Sequence, residues 1–274
     1  MRKLILAAVL SASVVPMAAQ AHRAWILPGA TVLSANEPWV TFDAAVSNDI
    51  FHTDWAALRL GESLVVLNPQ GNKVEAQNLF SGRYRTVFDL QLSELGTYRV
   101  FTNAESVSAS WKENGEQKNF PGRRPAAPVS QADVLKAIPK GAKEVQVTQN
   151  FRRNETFVTN RNPTDDVLKA QNKGFEFVPV THPNDLYAGE EAVFSFLIEG
   201  KPAVGAEVEI IPGARRYRDA EEAIILKTDK HGKIAVTWPQ AGMYYMEVSY
   251  RDDKGKKPIT HRAGRYVATF EVLP

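Results

Sequence analysis

Histidine is the residue type in this chain best suited to binding a transition metal, because imidazole is the commonest protein ligand for such ions. The chain has five histidines, which are His22, His52, His182, His231 and His261. No two of them are spaced as His-x-His or His-x-x-x-His, the spacings that place two imidazoles side by side on a strand or a helix. Any site must therefore be assembled by the tertiary fold.

His22 is the strongest candidate, because it follows a segment with the features of a cleaved export signal. Residues 1–3 are Met-Arg-Lys, residues 4–16 are apolar or small, and residues 19–21 are Ala-Gln-Ala. Cleavage after Ala21 would leave His22 as the first residue. Its free amine and its imidazole would then chelate one ion, and such nitrogen donors favour nickel, copper and zinc. The alternative is a histidine left at the cleavage site by chance.

Three further side chains are candidate metal ligands. His52 and Asp54 lie in a polar stretch and would add an imidazole and a carboxylate, although carboxylates beside turns more often cap them. His182 lies in the loop that opens the second half of the chain, and it would be a ligand if the two halves meet there. The simplest expectation for His231, in a turn, and His261, in a basic stretch, is that they face solvent.

The composition excludes several classes of partner. The chain has 33 basic and 31 acidic residues, and removing Arg2 and Lys3 with the signal leaves 31 of each. A neutral chain has no electrostatic attraction for nucleic acid or anionic lipid. The absence of cysteine excludes disulfides and thiolate metal sites. No segment after the signal approaches the roughly 20 apolar residues of a membrane helix. We therefore expect a periplasmic protein that is not inserted in the membrane after cleavage.

The common catalytic signatures are absent from the sequence. It has no Gly-x-Ser-x-Gly, no His-Glu-x-x-His, no glycine-rich phosphate loop and no dinucleotide-binding fingerprint. The adjacent carboxylates Asp165-Asp166 and Glu190-Glu191 would point apart in a strand and do not form a catalytic pair. We predict a protein that is not an enzyme and that binds no organic cofactor.

The elements that must position these side chains are strands. In the first half, β-forming runs closed by turn residues predict strands near residues 39–46, 63–68, 83–90 and 95–101. Several short strands at this spacing are typical of a β-sandwich. Between the halves, Ser130 and Asp133 are placed to cap one short helix, which Pro139 would end.

The second half returns to the strand pattern. Residues 193–198 and 205–210 predict strands, and residues 224–227 and 234–238 predict a hairpin around a turn. Each half has a Gly-x-Tyr late in its sequence, ending at Tyr98 or Tyr244. A tyrosine at such a strand entry is expected to pack its ring in the core and bond its hydroxyl to nearby backbone, a structural role.

These patterns predict an all-β chain of two immunoglobulin-like β-sandwiches. The expected organisation is a signal peptide at 1–21, an amino-terminal sandwich at 22–103, an elaborated connector with one short helix at 104–172, and a carboxy-terminal sandwich at 173–274.

Three blocks of sequence resemble a known family. They are His-Arg-Ala-Trp-Ile-Leu-Pro at 22–28, Val-Thr-Phe-Asp-Ala-Ala-Val-Ser-Asn-Asp at 40–49, and Val-Pro-Val-Thr-His-Pro-Asn-Asp-Leu at 178–186. The chain is similar to a bacterial domain-of-unknown-function family described as periplasmic components of nickel or cobalt uptake, NikM-like. Residues 200–250 also resemble the carboxypeptidase-regulatory type of β-sandwich. The family pattern has a histidine where this chain has Trp55.

Two functions from different classes follow. The first is a periplasmic protein that binds one nickel, cobalt or copper ion through His22, with His52, Asp54 and His182 as further candidate ligands, and presents the ion to an envelope transporter or receptor. The alternative is a metal-free adhesion or scaffolding module that docks an envelope partner or a glycan through its loops or strand edges.

Overall fold

The computed structural model describes residues 22–122 and 129–274. The expected export signal, residues 1–21, lies outside these ranges. The described chain consists mainly of β-strands in three sheets, with one short α-helix, so the all-β, β-sandwich class predicted from the sequence is confirmed. No helix in the described ranges has the length and apolar character needed to cross a membrane.

The strands are listed here in chain order. The first ten are β1 (Arg23–Pro28), β2 (Val32–Leu33), β3 (Trp39–Ser47), β4 (Ala56–Ala57), β5 (Leu64–Leu67), β6 (Lys73–Val74), β7 (Gln77–Ser81), β8 (Thr86–Gln91), β9 (Gly96–Glu113) and β10 (Glu116–Phe120). After α1 (Gln131–Ala137) follow β11 (Lys143–Asn160), β12 (Phe175–Pro179), β13 (Glu191–Ile198), β14 (Lys201–Pro202), β15 (Glu207–Pro212), β16 (Ile224–Lys227), β17 (Lys233–Thr237), β18 (Gly242–Asp252) and β19 (His261–Val272). Short 3-10 helices lie at Gly61–Ser63, Asp166–Leu168 and Arg215–Tyr217.

Three sheets are built from these strands. The amino-terminal sheet has the order β1-β3-β8-β7, with β4 beside β3. The large sheet has the order β16-β15-β18-β19-β11-β9-β5-β6, with β10 beside β9 and β2 beside β11. The carboxy-terminal sheet has the order β12-β13-β14, with β17 beside β13. The large sheet thus takes strands from all three of the ranges 22–103, 104–172 and 173–274.

One of the two smaller sheets packs on each face of the large sheet, and a hydrophobic core lies between each pair of sheets. Phe177, Phe194 and Phe196 of the carboxy-terminal sheet pack on Tyr266 and Phe270 of β19, with ring centroids 5.4–5.9 Å apart. Each such ring removes about 150–250 Å² from water. At roughly 25 cal/mol per Å², this burial contributes several kcal/mol per ring as an upper estimate.

On the opposite face, the amino-terminal sheet encloses the second core. Phe42 of β3 and Phe88 of β8 stack with ring centroids 4.6 Å apart, and they pack with Val100 and Val158 of the large sheet. Burial in β8 alternates from residue to residue, as a strand with one face in a core requires.

The two Gly-x-Tyr segments have the structural role expected of them. Both rings are buried, and the backbone N–H of Glu94 donates to the Tyr98 hydroxyl at 2.8 Å. The Tyr244 hydroxyl donates to the carbonyl oxygen of Gln240, also at 2.8 Å. Each tyrosine hydroxyl is therefore hydrogen-bonded to the backbone of the turn that precedes its own strand.

The predicted helix is confirmed together with its capping residues. The Ser130 side chain accepts from the backbone N–H of Asp133, and the Asp133 carboxylate accepts from the backbone N–H of Ser130. This reciprocal capping box satisfies two backbone donors at the start of α1. The helix ends at Ala137, two residues before Pro139.

The predicted hairpin of residues 224–227 and 234–238 is wrong in its pairing. β16 pairs with β15 in the large sheet, whereas β17 pairs with β13 in the carboxy-terminal sheet. The turn itself forms, because the Asp229 carboxylate accepts from the backbone N–H groups of His231 and Lys233, both at 2.8 Å. It carries the chain from one sheet across to the other.

Strand β1 joins the amino-terminal sheet to the large sheet. Its Ile26 lies in the core between the two sheets, while the neighbouring Trp25 packs with Tyr245 and Val267 of the large sheet. The hydroxyl of Thr269 in β19 donates to the carbonyl oxygen of Ile26 at 2.6 Å. These contacts on both sides of β1 fix the position of the residues at its start.

Candidate functional site

The start of β1 places His22 on a defined surface. His22 immediately precedes the strand, and its ring lies 4.0 Å from the ring of Trp55, centroid to centroid, with the planes tilted by 31°. The indole of Trp55 is half exposed, at 50%. The residue predicted to begin the mature chain is therefore in contact with the folded body.

The loop beside His22 contains the predicted ligands His52 and Asp54. The two Asp54 oxygens accept from the backbone N–H and the side-chain amide of Asn48, at 3.1 and 3.2 Å. Partial burial opposes ionisation of Asp54, but the hydrogen bonds from Asn48 and the nearby His52 outweigh it and lower its pKa. Asp54 thus closes the turn after β3, which is the alternative role considered for it, and it remains ionised beside the start of β1.

His182 lies in a different part of the molecule. Its Nδ1 accepts from the backbone N–H of Asn184 at 3.0 Å, and its Nε2 lies 3.0 Å from the Thr97 hydroxyl and 3.3 Å from the Thr164 carbonyl oxygen. Because Nδ1 accepts, Nε2 carries the proton of the neutral ring. Both ring nitrogens are therefore used in holding loops together.

The fold does not bring His182 to His22. The Thr97 hydroxyl that contacts His182 also lies 3.0 Å from the hydroxyl of Thr159, whose backbone N–H donates to Thr31, beyond the far end of β1. Strand β1 has six residues, and at ~3.3 Å per residue it spans about 20 Å. In the part of the chain that the structure describes, no group of three or more His, Asp or Glu side chains is placed to hold one ion.

The environment of His182 gives a testable pH dependence. Burial lowers its pKa below the ordinary value, against the opposing effects of the Thr164 carbonyl, Asp165 and Asp185. Below about pH 6.5 the unfolded chain takes up a proton at this residue before the folded chain does. We therefore expect the melting temperature to fall as the pH drops from 7.5 to 5, and to fall less in the His182→Gln variant. Circular dichroism melts measure this.

His231 provides the matched control for that experiment, because it is exposed in the turn that follows β16. The His231→Gln variant should keep the pH dependence of the unaltered chain. Equal pH dependence in the His182→Gln variant and the unaltered chain would show that His182 does not contribute.

A partly buried cluster of charges lies next to His22 and was not predicted from the sequence. The Arg23 guanidinium donates to Glu221 at 2.6 Å and to Glu209 at 3.2 Å, with only 11% of its side chain exposed. Burial opposes the charge on Arg23, but the two carboxylates outweigh it and raise its pKa. Glu209 and Glu221 are 186 and 198 residues away in sequence. The only local signal was that Glu209 faces outward in the alternating pattern of β15.

The charge cluster continues along the large sheet. Glu209 of β15 lies directly opposite Glu247 of β18 in the strand register. Glu247 forms a two-point ion pair with Arg265 of β19, with distances of 2.8 and 2.9 Å, and accepts from the hydroxyl of Tyr245 at 2.7 Å. The start of β1 thus lies over a paired set of acidic and basic groups.

Comparisons with known proteins give one family. The family model described as "Domain of unknown function (DUF4198)" matches residues 19–252. A search of curated proteins finds no match. Among solved structures, the D0-D1 domain of Intimin is similar at a TM-score of 0.23 and 12% sequence identity, over 91% of this chain and 97% of that one. A TM-score this low does not show a shared fold or a shared function.

Proposed function

We propose that this chain, which belongs to the DUF4198 family, is a periplasmic protein that binds one transition-metal ion through His22. In this proposal, residues 1–21 are removed on export, and the new terminal amine and the imidazole of His22 chelate nickel, cobalt or copper. The protein acts as a binding protein and not as an enzyme. It presents the ion to an envelope transporter, in keeping with the resemblance to nickel and cobalt uptake components. In the same proposal, residues 200–250 form a sandwich of the carboxypeptidase-regulatory type.

The observation that carries the proposal is the position of His22 against the folded body. Its ring contacts Trp55, and the next residue, Arg23, is anchored by two carboxylates. A chelating residue whose neighbours are fixed loses little conformational freedom when it binds an ion. The same pair of nitrogens on a mobile tail would bind more weakly.

The chemistry of the surrounding groups fits a dication. An amine and an imidazole are the nitrogen donors that copper, nickel and cobalt accept. The ionised carboxylate of Asp54 lies in the loop beside His22 and lowers the electrostatic cost of adding positive charge there, whereas Glu209 and Glu221 are paired with Arg23. His52 is exposed in the same loop and is the nearest predicted source of a further imidazole.

Calorimetric titration of the protein that begins at His22 with Ni²⁺ or Cu²⁺ tests the proposal. We expect one site per chain, and a dissociation constant at least about tenfold weaker, or 1.4 kcal/mol, in His22→Ala. A protein whose terminal amine is acetylated should bind similarly weakly, because only the imidazole of His22 then remains as a donor. Binding should also weaken as the pH falls, because protons compete with the ion for both nitrogens.

His182→Gln is the control for this titration, since His182 lies at the far end of β1. It should bind the ion as the unaltered chain does. Unchanged affinity in both His22→Ala and the amine-acetylated protein would reject His22 as the site. Finding a different first residue by mass spectrometry of the exported protein would reject it as well.

A further inference from the structure

A cleft opens between the amino-terminal sheet and the large sheet, close to the start of β1. It has a volume of about 290 Å³, and the side chains that define it belong to Ala24, Leu58, Thr102, Arg152, Asn154 and Arg265. This volume lies at the lower end of the range for small-molecule sites. Most of its surface is apolar, and no acidic residue lines it.

Asn154 is the unusual residue in this cleft. Only 7% of it is exposed, yet neither its amide nitrogen nor its amide oxygen has a hydrogen-bond partner among the described residues. Its neighbours across β9 and β19 are Thr102 and Val267, which also line the cleft, so its side chain lies on the cleft face of the sheet. A buried amide group without partners costs about 1–3 kcal/mol. Such a group requires a partner that the described chain does not supply.

Two guanidinium groups accompany this amide. Arg152 lies two residues before Asn154 on the same face of β11 and is exposed, and Arg265 is its direct neighbour across β19. Arg265 is already paired with Glu247, whereas Arg152 extends at the edge of the cleft. Guanidinium groups bind carboxylates through paired hydrogen bonds.

We propose that the cleft binds a small α-hydroxy carboxylate. The carboxylate would accept from Arg152 and from the Asn154 amide nitrogen, and the hydroxyl would donate to the Asn154 amide oxygen, so that both unpartnered atoms are satisfied. An α-amino acid satisfies the same atoms but brings an ammonium group into a cleft lined by arginines, which favours the hydroxy acid. This site does not depend on the nitrogens of His22 or on a metal.

The test is calorimetric titration of the protein that begins at His22, in the presence of EDTA, with L-malate and L-lactate. Succinate and propionate are the matched ligands that lack only the hydroxyl. We expect malate or lactate to bind at least about tenfold more tightly than its matched ligand, because an unpaired buried acceptor would remain with the latter. L-Alanine and L-aspartate test the amino-acid alternative.

Variants assign the binding to the cleft. Asn154→Leu should reduce affinity at least about tenfold without lowering the melting temperature, since it removes an unpaired buried amide and keeps similar volume. Arg152→Gln, an exposed change, should reduce affinity comparably, whereas Arg216→Gln, equally exposed but outside the cleft, should not. If Asn154→Leu does not fold, Arg152→Gln and the ligand series still decide the matter.

Three results from the ligand series would overturn the proposal. The first is that neither hydroxy acid binds at millimolar concentration. The second is that malate binds no more tightly than succinate and lactate no more tightly than propionate, and the third is that the amino acids bind more tightly than the hydroxy acids. Full affinity in the folded Arg152→Gln variant would also reject it.

Discussion

We expect the Glu155→Gln variant to lose about 3–5 kcal/mol of unfolding free energy, because it leaves the guanidinium of Arg99 buried without its paired carboxylate. Domains are stable by only about 5–15 kcal/mol, so this loss is a large share of the total. Urea unfolding followed by circular dichroism measures it.

The expectation follows from how completely Glu155 is paired and buried. Its side chain has no exposed surface, and 3% of the Arg99 side chain is exposed. Arg99 donates to the two carboxylate oxygens at 2.8 and 3.3 Å, and the Tyr266 hydroxyl donates at 2.6 Å. Burial and Glu155 together raise the pKa of the Tyr266 hydroxyl well above its usual value, so it keeps the proton that it donates.

This network lies where the sheet is most connected. Arg99, Glu155 and Tyr266 belong to β9, β11 and β19, three adjacent strands at the centre of the large sheet. Arg99 also donates to the carbonyl oxygen of Val167 at 3.0 Å, which ties the segment after β11 to the sheet. Loss of the Glu155 charge therefore weakens the junction between strands from distant parts of the chain.

An exposed ion pair of the same sheet is the control. Lys112 and Glu144 lie 2.8 Å apart, with 45% and 64% of their side chains exposed. Glu144→Gln should change the free energy of unfolding by no more than about 1 kcal/mol, because solvent screens such pairs. A loss below 1 kcal/mol in Glu155→Gln itself would mean that the buried network does not stabilise the sheet.

Local features of the fold could be predicted from the sequence. The helix cap at Ser130 and the tyrosines that pin their own turns depend on residues three or four positions apart, which the sequence displays directly. The strands near residues 39–46, 193–198 and 224–227 follow from runs of β-forming residues. These signals act within one strand or turn, where composition and spacing determine the outcome.

The partners of those strands could not be predicted in the same way. The alternating pattern of residues 234–238 shows that one face is buried but not which sheet buries it, and β17 pairs with β13 instead of β16. Similarly, β11 pairs with β19 in parallel across more than 100 residues of sequence. Such pairings depend on the packing of the whole chain.

The candidate site also has features that depend on local sequence and features that depend on the packing of the whole chain. The chemistry of His22 is local, since it depends on a cleavage pattern in the adjoining sequence. Its surroundings are not local, because the ion pair of Arg23 with Glu209 and Glu221 and the distance to His182 are both set by how β1 lies over the large sheet. The sequence therefore predicts a candidate ligand but not the groups around it.

The contact between His22 and Trp55 leads to a second large expected effect. The tryptophan ring at position 55 lies 4.0 Å from that of His22. If His22 holds the ion, an imidazole at position 55 would supply a further nitrogen. We expect the Trp55→His variant of the protein that begins at His22 to bind Ni²⁺ at least about tenfold more tightly, or by 1.4 kcal/mol. Calorimetric titration measures this.

Trp55→Phe separates added coordination from mere removal of the indole. The residue is half exposed, so both variants should fold. The phenylalanine variant should not gain affinity, because it offers no nitrogen. The double variant His22→Ala with Trp55→His should bind more weakly than Trp55→His, because the chelate formed by the amine and imidazole of His22 is then lost. Equal affinity of the histidine and phenylalanine variants would mean that an ion bound at this protein does not lie between positions 22 and 55.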